Sequence, residues 1–267
     1  MCEYKVFREP TKEIIFKDNQ CAGCGKTFSQ PAMVSQFGVL LGRYCDECLD
    51  KQDRKENAIK KQVEASNRKT WLDIIGVEEE YDKATLDNYK AITNSQKEAL
   101  QSSFSVLNGD LDKLVLLGGN GVGKTHLAAA LVKKMNGKLI TAYEMFALYR
   151  ACFTGKTTEI ELIKTLSSYP LLCIDEFGRT KGSEAEDNFL SVVIDKRHSK
   201  HLPTVILSNL IRKRDCPYFD PSNTSKCSAC TRHSCLETHL TMDVISRLHE
   251  NAKVILVEGE DYRRNGK

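Results

Sequence analysis

The chain has 267 residues, an ordinary globular composition and a formal net charge of +3, which allows one full-sized domain and a smaller one. This charge is too small to indicate nucleic-acid binding by itself, so any such site must be a local patch. Residues 1–20 lack the apolar core of a signal peptide, and no apolar run approaches the roughly 20 residues of a membrane span. These features predict a soluble, cytoplasmic protein.

Eleven cysteines are many for a protein in a reducing compartment, where metal ligation is commoner than disulfide formation. Four of them form two C-x₂-C pairs, Cys21 with Cys24 and Cys45 with Cys48, separated by twenty residues. Each pair makes a tight knuckle, and four thiolates complete a tetrahedral zinc site. Residues 1–50 are therefore predicted to form a small zinc-ribbon-like module that takes much of its folding energy from the metal. The alternative is four unligated cysteines.

Residues 49–70 are highly charged and contain no glycine or proline, which predicts a helix. Its basic residues outnumber its acidic residues, so the helix is either an arm that faces DNA or a solvated linker. We favour a charged linker helix over residues 51–70 and expect a folded domain over residues 71–267. Within that domain Ser95 and Glu98 have the spacing of a capping box and predict a helix.

A glycine-rich stretch follows the apolar run 114–117 and leads into an apolar-periodic segment that begins at His126. It consists of Gly118, Gly119, Asn120, Gly121, Val122, Gly123, Lys124 and Thr125. Strand, glycine loop and helix form the setting of a P-loop, in which backbone N–H groups and the helix N-terminus surround phosphate oxygens. Lys124 then reaches the β- and γ-phosphates, and the Thr125 hydroxyl binds Mg²⁺. We predict that residues 118–126 bind ATP with Mg²⁺; the alternative is a chance glycine turn.

Two carboxylates follow a second apolar strand at 171–174. Asp175 is placed to hold Mg²⁺ through water beside Thr125, and Glu176 can accept a proton from an attacking water. Acidic residues often end strands, but a P-loop about fifty residues upstream favours the catalytic interpretation. A further strand ends at Asn209, whose amide either senses the γ-phosphate and orients the water or only forms a turn. The chain is therefore predicted to hydrolyse ATP.

Residues 212–239 interrupt this plan with a loop that carries four further cysteines. They are Cys216, Cys227, Cys230 and Cys235, in the pattern C-x₁₀-C-x₂-C-x₄-C. The pattern favours a second zinc site that folds the loop. Iron–sulfur ligation uses the same thiolates, and a loop without metal remains an alternative because the spacing matches no standard motif.

The order of these features resembles that of the AAA+ ATPases. Over residues 71–264 the chain resembles the bacterial helicase loaders of the DnaC and DnaI type, within the IstB-like ATPase family. The segments that carry this resemblance are Thr85-Leu86-Asp87-Asn88-Tyr89, residues 118–127, Ile174-Asp175-Glu176-Phe177-Gly178, Ile194-Asp195-Lys196-Arg197, Ser208-Asn209, Ser246-Arg247-Leu248 and Tyr262-Arg263.

The resemblance implies an α/β fold of the AAA+ P-loop class with a parallel five-stranded sheet. Little chain follows Val257, so the helical lid of many AAA+ enzymes is expected to be absent. The resemblance also implies that Glu176 is catalytic, that Asn209 is sensor 1, and that Arg247 is an arginine finger reaching the ATP of a neighbouring subunit. Alternatively Arg247 is a surface residue paired with Glu250.

The resemblance further implies partners. In such loaders the N-terminal module grips a replicative helicase and the ATPase part binds single-stranded DNA. The helical segment that corresponds to the DNA-binding part contains Tyr149, Arg150 and residues 153–156. Its aromatic rings and cations either stack on and pair with single-stranded DNA or are ordinary core aromatics and surface cations. The cysteine insert at 212–239 is not general in this family.

We predict an ATP-dependent loader of a ring-shaped replicative DNA helicase onto single-stranded DNA, acting as a homo-oligomer or as an assembly templated by the helicase. One alternative is an IstB-like helper of a DNA transposase. The other is an interaction adaptor in which bound nucleotide acts as a conformational switch and is hydrolysed at a negligible rate.

Overall fold

The computed structural model describes residues 16–31, 33–35, 38–40, 42–155, 157–179, 183–212, 215, 235 and 252–262. The chain divides into two compact units, Met1–Arg68 and Lys69–Lys267, called here the N-terminal unit and the sheet unit. None of the helices within the described ranges combines the length and the apolar character that crossing a membrane requires.

The N-terminal unit contains two antiparallel hairpins and the start of a long helix. The hairpins pair β1 (Phe16–Gln20) with β2 (Thr27–Pro31) and β3 (Met33–Ser35) with β4 (Gly38–Leu40). Helix α1 (Asp46–Ile75) is longer than the predicted helix at each end. All of its residues from Leu49 to Thr70 are exposed, as their many charges require.

The sheet unit is built on five parallel strands, which confirms the predicted sheet. The strands are β5 (Lys113–Leu117), β6 (Lys138–Thr141), β7 (Leu172–Phe177), β8 (Thr204–Ser208) and β9 (Ala252–Leu256). Their order across the sheet is β6-β7-β8-β5-β9. Strands β5 and β8 are buried at every position, as expected for continuous apolar runs in a parallel sheet that is covered on both faces.

Five helices of the described chain follow α1. They are α2 (Asn94–Asn108), α3 (Lys124–Met135), α4 (Ala142–Cys152), α5 (Glu159–Leu166) and α6 (Glu184–His198). Helix α2 begins with a capping box, but its two residues are Thr93 and Gln96 rather than the predicted Ser95 and Glu98. Each partner satisfies a backbone N–H that has no acceptor inside the helix.

Apolar cores lie on both faces of the sheet. Along β5, Val115 and Leu117 belong to the core that includes residues of α4, α5 and α6. The alternate residues Leu114 and Leu116 belong to the core that includes residues of α2 and α3. This alternation is the two-residue period of a strand. The resulting three layers bring the carboxyl ends of β5, β7 and β8 to one edge, where ligands bind in such sheets.

Candidate nucleotide-binding site

A cavity of about 390 Å³ opens at the carboxyl edge of the sheet. Its wall includes residues 120–126 together with Asp175, Glu176 and Asn209. Residues that are far apart in the sequence thus meet around one space because β5, β7 and β8 are neighbours in the sheet.

Glycines shape the loop between β5 and α3. Gly118 has φ 137°, and a Cβ atom there would lie 2.2 Å from the carbonyl oxygen of Val257. Gly123 has φ 98°, and a Cβ atom there would lie 2.6 Å from the Tyr89 ring. Both positions therefore combine a left-handed backbone with a close neighbour, so only glycine fits.

Lys124 is 7% exposed and lies at the centre of this loop. Its Nζ donates to the carbonyl oxygens of Gly118 and Gly119, each at 2.7 Å, and to Oδ1 of Asn209 at 3.0 Å. The Asn209 amide in turn donates to Oδ1 of Asn120 at 2.9 Å. Asn209 thus lines the same cavity as Asp175 and Glu176, and its side-chain hydrogen bonds run to Lys124 and Asn120.

The Thr125 hydroxyl donates to Oδ2 of Asp175 at 3.0 Å. Burial raises the pKa of Asp175 above its usual range, and hydrogen bonds from the Glu176 N–H and from Thr125 oppose this rise. A partly buried carboxylate beside a hydroxyl is stabilised by a cation, and both groups offer the oxygen ligands that Mg²⁺ prefers. The pair therefore fits a Mg²⁺ ion bound with nucleotide.

Glu176 has an unusual backbone. The prediction placed it beyond the strand, whereas β7 continues to Phe177 and the pairing with β8 shifts register between Ile174 and Phe177. Within this irregularity Glu176 has φ 52°, which is uncommon for a residue other than glycine. Its Oε1 accepts a hydrogen bond from Nη1 of Arg179 at 2.6 Å.

The segment that contains Thr85, Asn88 and Tyr89 supports the loop from outside. Nε2 of His126 lies 3.0 Å from the Thr85 carbonyl oxygen and 3.0 Å from Oδ1 of Asn88. The Tyr89 ring packs against the His126 ring, and its hydroxyl donates to the Val122 carbonyl at 3.2 Å. Burial raises the pKa of Tyr89 to about 12, so this donor stays protonated. The sequence marked these residues only through the family resemblance.

The segment after β9 crosses the same loop. The Val257 N–H donates to the Leu117 carbonyl at 2.7 Å, and the Tyr262 N–H donates to the Gly121 carbonyl at 3.1 Å. Tyr262 also lines the cavity. Sequence patterns gave no sign of these contacts, because they depend on β9 lying beside β5.

A second cluster lies in the N-terminal unit. The Sγ atoms of Cys21, Cys24, Cys45 and Cys48 all lie within 4.8 Å of one another. Sγ of Cys21 accepts hydrogen bonds from the N–H groups of Cys45 at 3.3 Å and Gly23 at 3.4 Å. The bond from Cys45 is the main cause that lowers the pKa of Cys21 to about 6. A hydrogen bond to Cys21, with burial, raises the pKa of Cys48 to about 12.

Four thiols this close do not all ionise unless a cation lies among them. A set of four sulfur donors, with one pair on a turn and the other at the start of α1, fits Zn²⁺. The cysteine cluster therefore suits a zinc ion.

Of the four cysteines in the predicted second metal site, the described part of the chain includes Cys235. This residue is buried and forms an isolated parallel β-bridge with Ile211. The other predicted site residues, Cys216, Cys227, Cys230 and Arg247, lie outside the described residues. The second metal site and the arginine finger therefore stay predictions.

The predicted DNA-facing segment contains both buried and exposed residues. Tyr149 is buried and stacks on Phe189 with ring centroids 4.6 Å apart. Arg150 is ion-paired with Glu186. Phe153 is 73% exposed. Of these two aromatic residues, only Phe153 has a ring that an unpaired base can reach.

The parallel sheet, its strand order and the glycine loop at its carboxyl edge define a P-loop protein of the AAA+ class. A family model described as IstB-like ATP binding protein matches residues 50–221. The chain belongs to this IstB-like ATP-binding protein family.

Several curated relatives match more than half of the chain. The replicative helicase loader DnaC of Buchnera aphidicola subsp. Acyrthosiphon pisum (strain APS) is 32% identical over 148 residues, which cover 52% of this chain and 60% of that protein. The replicative helicase loader DnaC of Escherichia coli (strain K12) is 28% identical over 164 residues, or 58% of this chain and 64% of that protein. The chain thus spans about three-fifths of the length of the curated relatives it matches.

Solved structures agree on the fold. The crystal structure of the DnaC helicase loader has a TM-score of 0.51 at 25% identity and covers 68% of this chain and 100% of its own. The crystal structure of DnaI also has a TM-score of 0.51, at 20% identity, and covers 68% of this chain and 95% of its own.

Proposed function

We propose that this protein is an ATPase that loads a ring-shaped replicative DNA helicase onto single-stranded DNA. The observation that carries the ATPase activity is the convergence of Lys124, Thr125, Asp175, Glu176 and Asn209 on one cavity. The names of the relatives, replicative helicase loaders, supply the partner.

The five residues have different roles in the proposed reaction. Lys124 exchanges its carbonyl acceptors for the β- and γ-phosphate oxygens of ATP, while Thr125 and Asp175 hold Mg²⁺. The bound ion neutralises phosphate charge as it develops. Glu176 accepts the proton of the attacking water, and Asn209 orients that water or senses the γ-phosphate.

The proposed organisation follows the two units. Residues 1–50 form a zinc-bound module that binds the helicase, residues 51–70 form a charged linker, and residues 71–267 form the ATPase with its insert at 212–239. Four cysteine sulfurs within 4.8 Å support the first assignment, and the fully exposed stretch Leu49–Thr70 supports the second.

The assembly and the DNA contact complete the proposal. Arg247 reaches the ATP of a neighbouring subunit, so hydrolysis needs a homo-oligomer or subunits ordered by the helicase ring. The exposed Phe153 stacks on an unpaired base, and stacking on an aromatic side chain is tolerant of sequence.

The test mixes the full chain with a purified replicative helicase, single-stranded DNA and ATP. We expect the wild type to bind the helicase and to transfer it to the DNA in an ATP-dependent manner. Cys45→Ser should lose helicase binding because it removes a metal ligand. Glu176→Gln should keep helicase binding and lower hydrolysis by roughly 10²- to 10⁴-fold, the usual contribution of a positioned base.

Cys152→Ser is the matched control, since Cys152 lies outside the cysteine cluster and its thiol donates to the Leu148 carbonyl at 3.3 Å. Capture of a transposase in place of the helicase would show that the protein assists transposition. Helicase transfer without ATP turnover would show that nucleotide acts only as a switch.

A further inference from the structure

One charged contact at the cavity has no role in the proposed reaction. Glu176 lines the cavity, and its Oε1 accepts a hydrogen bond from Nη1 of Arg179 at 2.6 Å. Arg179 is not part of the cavity wall. The arginine therefore holds the proposed base from outside the nucleotide site.

The backbone between these two residues is a tight turn with little freedom. The Arg179 N–H donates to the Glu176 carbonyl at 3.2 Å, and Gly178 between them has φ 78°. A Cβ atom at Gly178 would lie 2.2 Å from Leu210, so the turn packs closely against the residue that follows Asn209. Ser208 adds a 2.6 Å hydrogen bond to the Phe177 carbonyl.

The register shift between β7 and β8 directs the Glu176 side chain. An irregularity of this kind turns a side chain away from its usual face of a strand, and a left-handed φ at a residue other than glycine persists only where its surroundings enforce it. The backbone geometry thus holds Arg179 and Glu176 within ion-pair distance of each other. The guanidinium is 71% exposed and the carboxylate 43% exposed, so the pair separates at low cost.

The hydrogen bond engages Oε1 of Glu176 with the Arg179 guanidinium, so the orientation of the carboxylate is set by the turn and not by an attacking water. We infer that Arg179 is a positioning residue that restrains Glu176, and that hydrolysis requires the separation of this pair. This inference rests on the proposed ATPase activity. It makes the rate of ATP hydrolysis depend on the Glu176–Arg179 pair.

The test compares steady-state ATP hydrolysis by the full chain and by Arg179→Ala, each mixed with a replicative helicase and single-stranded DNA so that a neighbouring subunit can supply Arg247. An exposed ion pair of this kind corresponds to a change of about two- to five-fold, so kcat should rise by roughly that factor. The KM for ATP should not change, because Arg179 is not part of the cavity wall. Arg179→Lys keeps the charge and should restore a rate near that of the wild type.

Two variants separate restraint from other effects. In a Glu176→Gln background, Arg179→Ala should give no increase in rate, since the group that it releases is gone. Lys253→Ala is the matched control: Lys253 pairs with Glu98 at 3.0 Å, with side chains 42% and 48% exposed, and both residues lie outside the cavity wall. This control should leave kcat unchanged.

The outcomes distinguish the two proposals. Hydrolysis by the wild type together with an unchanged or lower kcat in Arg179→Ala would overturn the restraint and leave the ATPase assignment intact. An altered KM would instead show that Arg179 contacts the nucleotide, and this result would also overturn the proposed restraint. No hydrolysis by either protein, with ATP bound, would overturn both.

Discussion

The two units differ in what holds them together. In the sheet unit, β5 and β8 are buried at every position and apolar cores cover both faces of the sheet. In the N-terminal unit, Cys21 and Cys45 are the only buried side chains among those whose burial is described. The sheet unit can therefore fold by burying apolar surface, whereas we propose that the N-terminal unit takes much of its folding energy from a bound metal.

Removing the metal should give the largest effect and should be confined to the N-terminal unit. Zinc binding to small modules contributes about 10–16 kcal/mol, so a chelator or Cys45→Ser should abolish protection in β1 and β2. Hydrogen exchange read by mass spectrometry measures this, with β5 as the internal reference that should keep its protection.

Metal analysis completes the same experiment. The wild type should contain close to two zinc ions per chain if the predicted insert site binds metal, and Cys45→Ser should lose one of them. Cys152→Ser should retain the full content. Unchanged zinc content in Cys45→Ser would contradict the cysteine cluster as a zinc site.

A core truncation should instead destabilise the sheet unit. Leu131 on α3 is fully buried, so Leu131→Ala should lower the free energy of unfolding of the sheet unit by about 2–5 kcal/mol. Urea denaturation followed by circular dichroism measures this. The exposed Leu148 provides the control, since Leu148→Ala should stay within about 0.5 kcal/mol of the wild type. Loss of hydrogen-exchange protection in β1 and β2 of Leu131→Ala would mean that the two units do not fold separately.

The third effect concerns the ligand of the sheet unit. ATP at about 100 times its Kd should stabilise the wild type by about 2.7 kcal/mol. Lys124→Ala removes a charged donor to phosphate and should weaken ATP binding by roughly 10- to 100-fold, so about half or more of this stabilisation disappears. Thermal unfolding with and without ATP and Mg²⁺ measures the difference. Glu176→Gln should keep the full shift, and equal ATP affinity in the wild type and Lys124→Ala would refute the P-loop assignment.

The fold of the sheet unit could be predicted because its strands are continuous apolar runs and its glycine loop is local in sequence. The start of α2 shows the limit. Two overlapping pairs fit the capping-box spacing, Ser95 with Glu98 and Thr93 with Gln96. The second pair forms, and Gln96 also donates to the Val122 carbonyl at 3.2 Å. A tertiary contact thus accompanies the choice between two equal local patterns.

In the candidate nucleotide-binding site too, local motifs could be predicted and tertiary contacts could not. Lys124 and Asp175 come from local motifs and were predicted to share the site, and the structure brings them to one cavity. The left-handed backbone of Glu176 and its contact with Arg179 depend on the pairing of β7 with β8, which no local pattern describes. The burial of Tyr149 depends likewise on its packing against Phe189 of α6.

The segment that crosses the glycine loop has a consequence for biosynthesis. The Thr93 hydroxyl donates to the Glu258 carbonyl at 2.8 Å across 165 positions of the chain, and Tyr262 donates to Gly121. Contacts this distant in sequence form only after the later partner has been synthesised. A nascent chain still attached to the ribosome can pair β6, β7, β8 and β5 once residue 208 has emerged, but its nucleotide pocket lacks Tyr262 until residues 257–262 have left the exit tunnel. Nucleotide affinity should therefore appear late in translation, when the ATPase part is nearly complete.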